Sequence, residues 1–90
     1  MSVAVHFTPN LARHIETASV TVEGRTVREA LDALFAERPK ARGYVLDDQG
    51  VVRKHVQVFV EGEQVVDRVG LSDPLSDGME IWIMRALSGG

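Results

Sequence analysis

Residues 71–90 read LSDPLSDGMEIWIMRALSGG, and this stretch decides the fold. Within it, residues 79–84 alternate large apolar side chains with others, which is the pattern of a half-buried strand. The pair Asp77-Gly78 in front of them is typical of a turn. The stretch therefore predicts a last strand that begins at a tight turn and leads into a short C-terminal segment.

Two glycines, Gly89 and Gly90, close the sequence. Glycine has no Cβ, so such a segment can enter a narrow channel and adopt backbone angles that other residues resist. Six extended residues span roughly 20 Å. Termini are also often disordered without having a function, so the doublet takes its meaning from the strand before it. We expect one domain over residues 1–84 and a flexible tail over residues 85–90.

The composition indicates one small globular domain. Of the 90 residues, 44% are hydrophobic and 26% are charged, and the net charge is only −3 with scattered basic residues. This balance lacks the electrostatic footprint of a nucleic-acid-binding protein. No apolar run approaches the ~20 residues of a membrane-spanning helix, and residues 1–10 lack the features of a signal peptide. We therefore expect a cytoplasmic protein that binds neither nucleic acid nor membrane.

A helix is predicted after the second strand. Thr26 and Glu29 fit a capping box, in which Thr26 is the N-cap and Glu29 reaches back to its amide. Apolar side chains then recur at helical spacing. Pro39 forces a stop near residue 38.

Alternating apolar residues predict strands over residues 3–7 and 55–60, and a β-branched run predicts one over residues 19–22. A short strand is expected over residues 64–66, after a turn at residues 61–63. We expect Pro9 to break the chain after the first strand, and residues 40–54 to be less regular. The predicted order of strands and helix along the chain corresponds to an α+β fold, in which two groups of strands wrap one main helix. If the first and last strands lie side by side in the middle, the sheet is mixed and the fold is the β-grasp, or ubiquitin-like, architecture.

Two segments carry a resemblance to a known family. Residues 55–62, HVQVFVEG, and residues 71–83 resemble the second half of MoaD/ThiS-like ubiquitin-like sulfur carriers. That family includes the small subunit of molybdopterin synthase, the thiamine sulfur carrier and a carrier of cysteine synthesis. The length of residues 40–54 is closer to the molybdopterin and cysteine branches. The pathway and the sulfur acceptor stay open.

The resemblance implies a chemistry for the tail. Gly90 would be adenylated by a ubiquitin-activating-like enzyme (MoeB/ThiF type) that uses ATP, and a persulfide would convert it to a thiocarboxylate. Gly89, Ser88 and Leu87 would thread into the partner's active site. A downstream synthase would accept the sulfur. The doublet fits both a chain made in this form and one trimmed from a longer precursor.

We expect no catalytic residue, no metal and no bound cofactor in this chain. It has no cysteine, which excludes a thiolate nucleophile and a cysteine-based metal site. His6, His14 and His55 lack the spacing of a ligand pair, and a surface or hydrogen-bonded histidine is the simpler interpretation. The chain is therefore expected to be a carrier or a non-catalytic subunit of a synthase.

Strand parity predicts a surface for partners. In the last strand Ile81 and Ile83 should face the helix, which leaves Trp82 and Met84 on the outer face. Phe59 of the neighbouring strand should join them, with Arg85 at the root of the tail. Exposed apolar patches tend to mark interaction sites. Alternatively, these side chains pack under residues 40–54 or merely cover the sheet, and Arg85 is an ordinary surface arginine.

Two other functions fit the same tail and face. Gly90 could be joined to lysines of other proteins, as in a ubiquitin-like modifier. The chain could also be a β-grasp interaction module that is never activated.

Overall fold

The computed structural model describes residues 1–85. Tail residues Leu87, Ser88, Gly89 and Gly90, on which the predicted activation site falls, lie outside the described residues. Residues 1–85 form five strands: β1 (Ser2–Phe7), β2 (Ser19–Glu23), β3 (Val56–Val60), β4 (Glu63–Gln64) and β5 (Glu80–Arg85). Three helices accompany them: α1 (Pro9–Ile15), α2 (Val27–Glu37) and α3 (Pro39–Val45).

The strands form one mixed sheet in the order β2-β1-β5-β3-β4. The first and last strands are parallel neighbours at its centre, and Val5 lies opposite Ile81. The other pairs, β1 with β2, β3 with β4 and β3 with β5, are antiparallel. This is the predicted β-grasp topology, and it places the strand that precedes the tail in the middle of the sheet.

Helix α2 begins as predicted at Thr26, whose hydroxyl accepts a hydrogen bond from the Glu29 amide at 3.2 Å. The Glu29 carboxylate accepts from the Arg25 amide at 3.0 Å, not from the amide of Thr26 as predicted. The Glu29 carboxylate thus binds the amide of the residue before the N-cap, while the Thr26 hydroxyl caps the helix itself. One face of the helix is buried against the sheet; it consists of Val27, Ala30, Leu31, Leu34 and Phe35.

Helices α1 and α3 were not predicted. Each begins with a proline, Pro9 and Pro39, at its first turn. Proline ends a helix when it comes later, but at the first helical position its fixed φ favours the helix and its missing N–H is not needed. The expectation that Pro9 only breaks the chain, and that residues 40–54 are irregular from their start, is therefore wrong.

The core lies between the sheet and the helices. Ile81 and Ile83 are fully buried in it together with Val56 and Val58, as strand parity predicted. Val60 is only partly buried, because it lies beside the short edge strand β4. No helix within residues 1–85 is long and apolar enough to cross a membrane.

Candidate functional site

The Asp77-Gly78 turn sets the position of the strand that carries the site. Asp77 Oδ1 accepts a hydrogen bond from the Ser2 amide at 2.8 Å, and the Gly78 amide donates to the Ser2 carbonyl at 2.8 Å. Gly78 has a φ of 85°, a conformation that favours glycine. The turn therefore ties the start of β5 to the start of β1 and fixes their register.

The predicted outer face is present on β3 and β5. Phe59 lies directly opposite Trp82, and Gln57 lies opposite Met84. Trp82 is 38% exposed and Met84 is 36% exposed, whereas Phe59 is half-buried. The three apolar side chains share one face because their neighbours Val58 and Ile83 point into the core. The geometry of the predicted patch thus holds, and its role in binding stays a prediction.

Trp82 has an aromatic neighbour that parity alone did not reveal. The imidazole of His6 stacks on the indole with ring centroids 4.6 Å apart. His6 Nε2 also lies 2.8 Å from Glu80 Oε1. His6 is therefore a hydrogen-bonded surface histidine, and it holds the Trp82 ring over the β1–β5 pair. The alternation in β1 already indicated that His6 points outward. Its contact with Trp82, however, follows from the parallel register of β1 and β5, in which the two residues are partners.

Arg85 ends β5 opposite Val56 and is half-buried. It contributes to a hollow of about 190 Å³ at the end of β5. This places the predicted tail root beside residues of α3 and of the segment before β3, which lie far from it in the sequence. Nothing in the strand pattern indicated that neighbourhood.

Two carboxylates organise the loop that precedes β5, those of Asp67 and Asp73. Asp67 accepts hydrogen bonds from the hydroxyl and amide of Ser72 and from the amides of Gly70 and Val69. These donors, the Ser72 hydroxyl first, lower the pKa of Asp67 to about 2. The carboxylate thus stays ionised at neutral pH and acts as a loop anchor. Within residues 1–85, no group of three or more His, Asp or Glu side chains is placed to hold a metal ion.

Comparison with known proteins agrees with this architecture. The model of the ThiS family matches residues 9–90. The crystal structure of SAMP1 from Haloferax volcanii superposes with a TM-score of 0.87 at 28% identity, covering 100% of both chains. A chain of the Amycolatopsis orientalis BexX/CysO complex gives 0.84 at 26% identity, covering 98% of this chain and 99% of its own.

A third similar structure is CysO from Mycobacterium tuberculosis, with a TM-score of 0.81 at 25% identity over 94% of this chain and 99% of its own. No curated protein matches the sequence. The family match spans the Asp77-Gly78 turn, strand β5 and the Gly-Gly end. The chain therefore belongs to the ThiS family, whose members are ubiquitin-like sulfur carriers.

Proposed function

We propose that this protein carries sulfur on the carboxylate of Gly90. The observation that supports this proposal most strongly is the family match, because it runs through residue 90 and so includes the Gly-Gly end. The fold supports it in a second way: β5 lies at the centre of the sheet and ends at Arg85, five residues before Gly90. A rigid strand followed by a tail suits a group that another protein must reach.

The chemistry follows from the electronic state of the terminus. An α-carboxyl group has a pKa near 3.5, so Gly90 is a carboxylate at neutral pH and a poor electrophile. Attack of its oxygen on the α-phosphorus of ATP releases pyrophosphate and leaves an acyl-adenylate. A persulfide then displaces AMP at the carbonyl carbon. A thiol cleaves the resulting acyl disulfide, which leaves a thiocarboxylate on Gly90 and a disulfide on the donor.

The adenylating partner is expected to supply the catalytic groups and to bind the ATP. We propose a ubiquitin-activating-like enzyme in this role and a downstream synthase as the acceptor of sulfur. In support, the similar Amycolatopsis orientalis chain is part of a BexX/CysO complex. Phe59, Trp82, Met84 and Arg85 would form the docking face, and residues 87–89 would enter the partner's channel. Since activation consumes ATP, we place the protein in the cytoplasm.

A variant with one alanine added after Gly90 tests this function. It should fold like the wild type by circular dichroism and yet form no thiocarboxylate, because the reactive carbonyl no longer belongs to glycine and lies one residue too far along the channel. A matched variant with one alanine added before Met1 should be activated normally. Normal sulfur loading of the C-terminally extended variant would contradict the proposal.

A modifier role is the second candidate, because SAMP1, which is 28% identical, is described as a small archaeal modifier protein. An acyl-adenylate can be attacked by a lysine amine as well as by sulfur. Expression of an N-terminally tagged chain in its host separates the two roles. Tagged species of higher mass that vanish when residues 89–90 are deleted would indicate conjugation, whereas their absence beside a loaded thiocarboxylate would indicate a carrier only.

A further inference from the structure

Two adjoining hollows have volumes of about 190 Å³ and 250 Å³, and the first of them reaches Arg85 at the end of β5. Their linings come from three separate parts of the chain: α3, the segment before β3, and β5 itself. Arg53 and His55 line both hollows, so the two form one feature, here named the basic cleft. Its lining consists of Gly43, Tyr44, Asp47, Arg53, Lys54, His55 and Arg85.

The wall of the basic cleft is held in place before any partner arrives. Arg53 Nε donates to the Gly43 carbonyl at 2.8 Å, and the Arg53 amide donates to the Val45 carbonyl at 3.0 Å. The Tyr44 ring stacks on His14 with centroids 5.0 Å apart. Within residues 1–85 the Nη atoms of Arg53 donate no hydrogen bond. The guanidinium is therefore oriented by one nitrogen and offers the others to a ligand.

The cationic side chains of the cleft form no ion pair among the residues that the structure describes. Three permanent cations, Arg53, Lys54 and Arg85, line it, although the whole chain carries a net charge of −3. In the part of the chain that the structure describes, none of the three lies within 4.0 Å of a carboxylate oxygen. Asp47 also lines the cleft, and its carboxylate, which accepts hydrogen bonds from the amides of Gln49 and Val51, offsets one of the three positive charges, so that the lining stays positive by two charges. An anionic ligand is thus favoured.

We propose that the basic cleft binds an acidic segment of the adenylating enzyme and thereby sets the direction in which the tail leaves the domain. The inference rests on the proposed function. Arg85 belongs both to the cleft and to the end of β5, so an anion bound there lies at the first residue of the tail. Five further extended residues reach at most ~18 Å. A carboxylate pair anchored at Arg53 and Arg85 therefore limits where Gly90 can lie, and guanidinium groups suit such a bidentate contact.

The test measures the KM and kcat of each carrier variant in ATP–pyrophosphate exchange by the host's adenylating enzyme. Arg85→Gln should raise KM about threefold and Arg53→Gln/Arg85→Gln about tenfold, with little change in kcat, because each exposed ion pair contributes modestly to binding. The increase should shrink between about 50 mM and 500 mM salt as the charges are screened. Arg42→Gln removes the same charge from an exposed position of α3 outside the cleft and should leave KM unchanged.

The single variant guards against a folding artefact, because the Arg85 side chain donates no hydrogen bond within residues 1–85, unlike that of Arg53. A double variant with the KM of the wild type would overturn the inference. An equal rise for Arg42→Gln would also overturn it, since the effect would then come from net charge. A wild-type protein that is not adenylated at all removes the proposed function, and this inference with it.

Discussion

Truncating Trp82 to alanine should weaken partner binding strongly while the domain stays folded. The indole is 38% exposed and is stacked on His6 at 4.6 Å. Loss of one aromatic pair, worth about 0.5–1.5 kcal/mol, together with a partly covered apolar side chain, predicts a loss of about 1–2 kcal/mol in the free energy of unfolding. Since a domain of this size has a free energy of unfolding of about 5–13 kcal/mol, the variant stays folded.

Its affinity for the adenylating enzyme should fall about 30-fold, which corresponds to the ~2 kcal/mol typical of a tryptophan at the centre of an interface. Isothermal titration calorimetry gives the affinity, and urea denaturation of the same samples gives the free energy of unfolding.

Val58→Ala is the matched control. Val58 lies next to Phe59 in β3 and pairs with Ile83, but its side chain is fully buried on the opposite face. Removal of two methyl groups and the resulting cavity should cost about 2 kcal/mol of stability and leave the outer face intact. If Val58→Ala loses as much affinity as Trp82→Ala, or if Trp82→Ala binds like the wild type, the assignment of the docking face is refuted.

Two further predictions concern the scaffold. Gly24→Ala should lower the free energy of unfolding by about 1–3 kcal/mol, because the new Cβ would lie 2.6 Å from the backbone nitrogen of Ala30. Gly43→Ala should raise the free energy of unfolding by about 0.5–1 kcal/mol, because the new Cβ meets open space and alanine favours the helix α3. The midpoints of urea denaturation should therefore shift in opposite directions, and a shift in the same direction would contradict the pair. The hydrogen bonds of Asp67 lower its folded pKa to about 2, below the ordinary value near 4, so the stability that they provide is present above pH ~4 and is lost as the pH falls toward ~2. Asp67→Asn should flatten this part of the acid dependence in urea denaturation at stepped pH, and an unchanged acid dependence would show that Asp67 does not cause it.

The sequence predicted most of the fold, because the alternation of apolar residues and the capping box each arise from a single local cause, the burial of one strand face and the need to satisfy the first helical amides. Alternation at period two located β1, β3 and β5, a β-branched run located β2, and the capping box placed the start of α2 at Thr26. The short strand predicted over residues 64–66 lies instead at Glu63–Gln64. The two missed helices have only seven residues each, so they complete two turns and show little periodicity. Both begin with a proline, which favours a helix at the first helical position and breaks one further inside.

The sequence predicted only those features of the candidate site that depend on the alternation within a single strand. Parity correctly placed Phe59 and Trp82 on the outer face. The stack of His6 on Trp82 depends on the register between β1 and β5, which the sequence does not reveal until the topology is known. The basic cleft is harder still to predict, because Arg53 and Arg85 are distant in the sequence and line one cleft, together with residues of α3, only in the folded chain.

Intact-mass spectrometry of the wild-type chain tests the central claim most directly. The protein is incubated with ATP, a sulfur source and the host's adenylating enzyme, and its mass is compared with that of a sample lacking ATP. The account predicts an ATP-dependent mass gain equal to the replacement of one oxygen by one sulfur, located on Gly90 by fragmentation. An unchanged mass, with an enzyme that is active on another carrier, would contradict it and favour a β-grasp interaction module that is never activated.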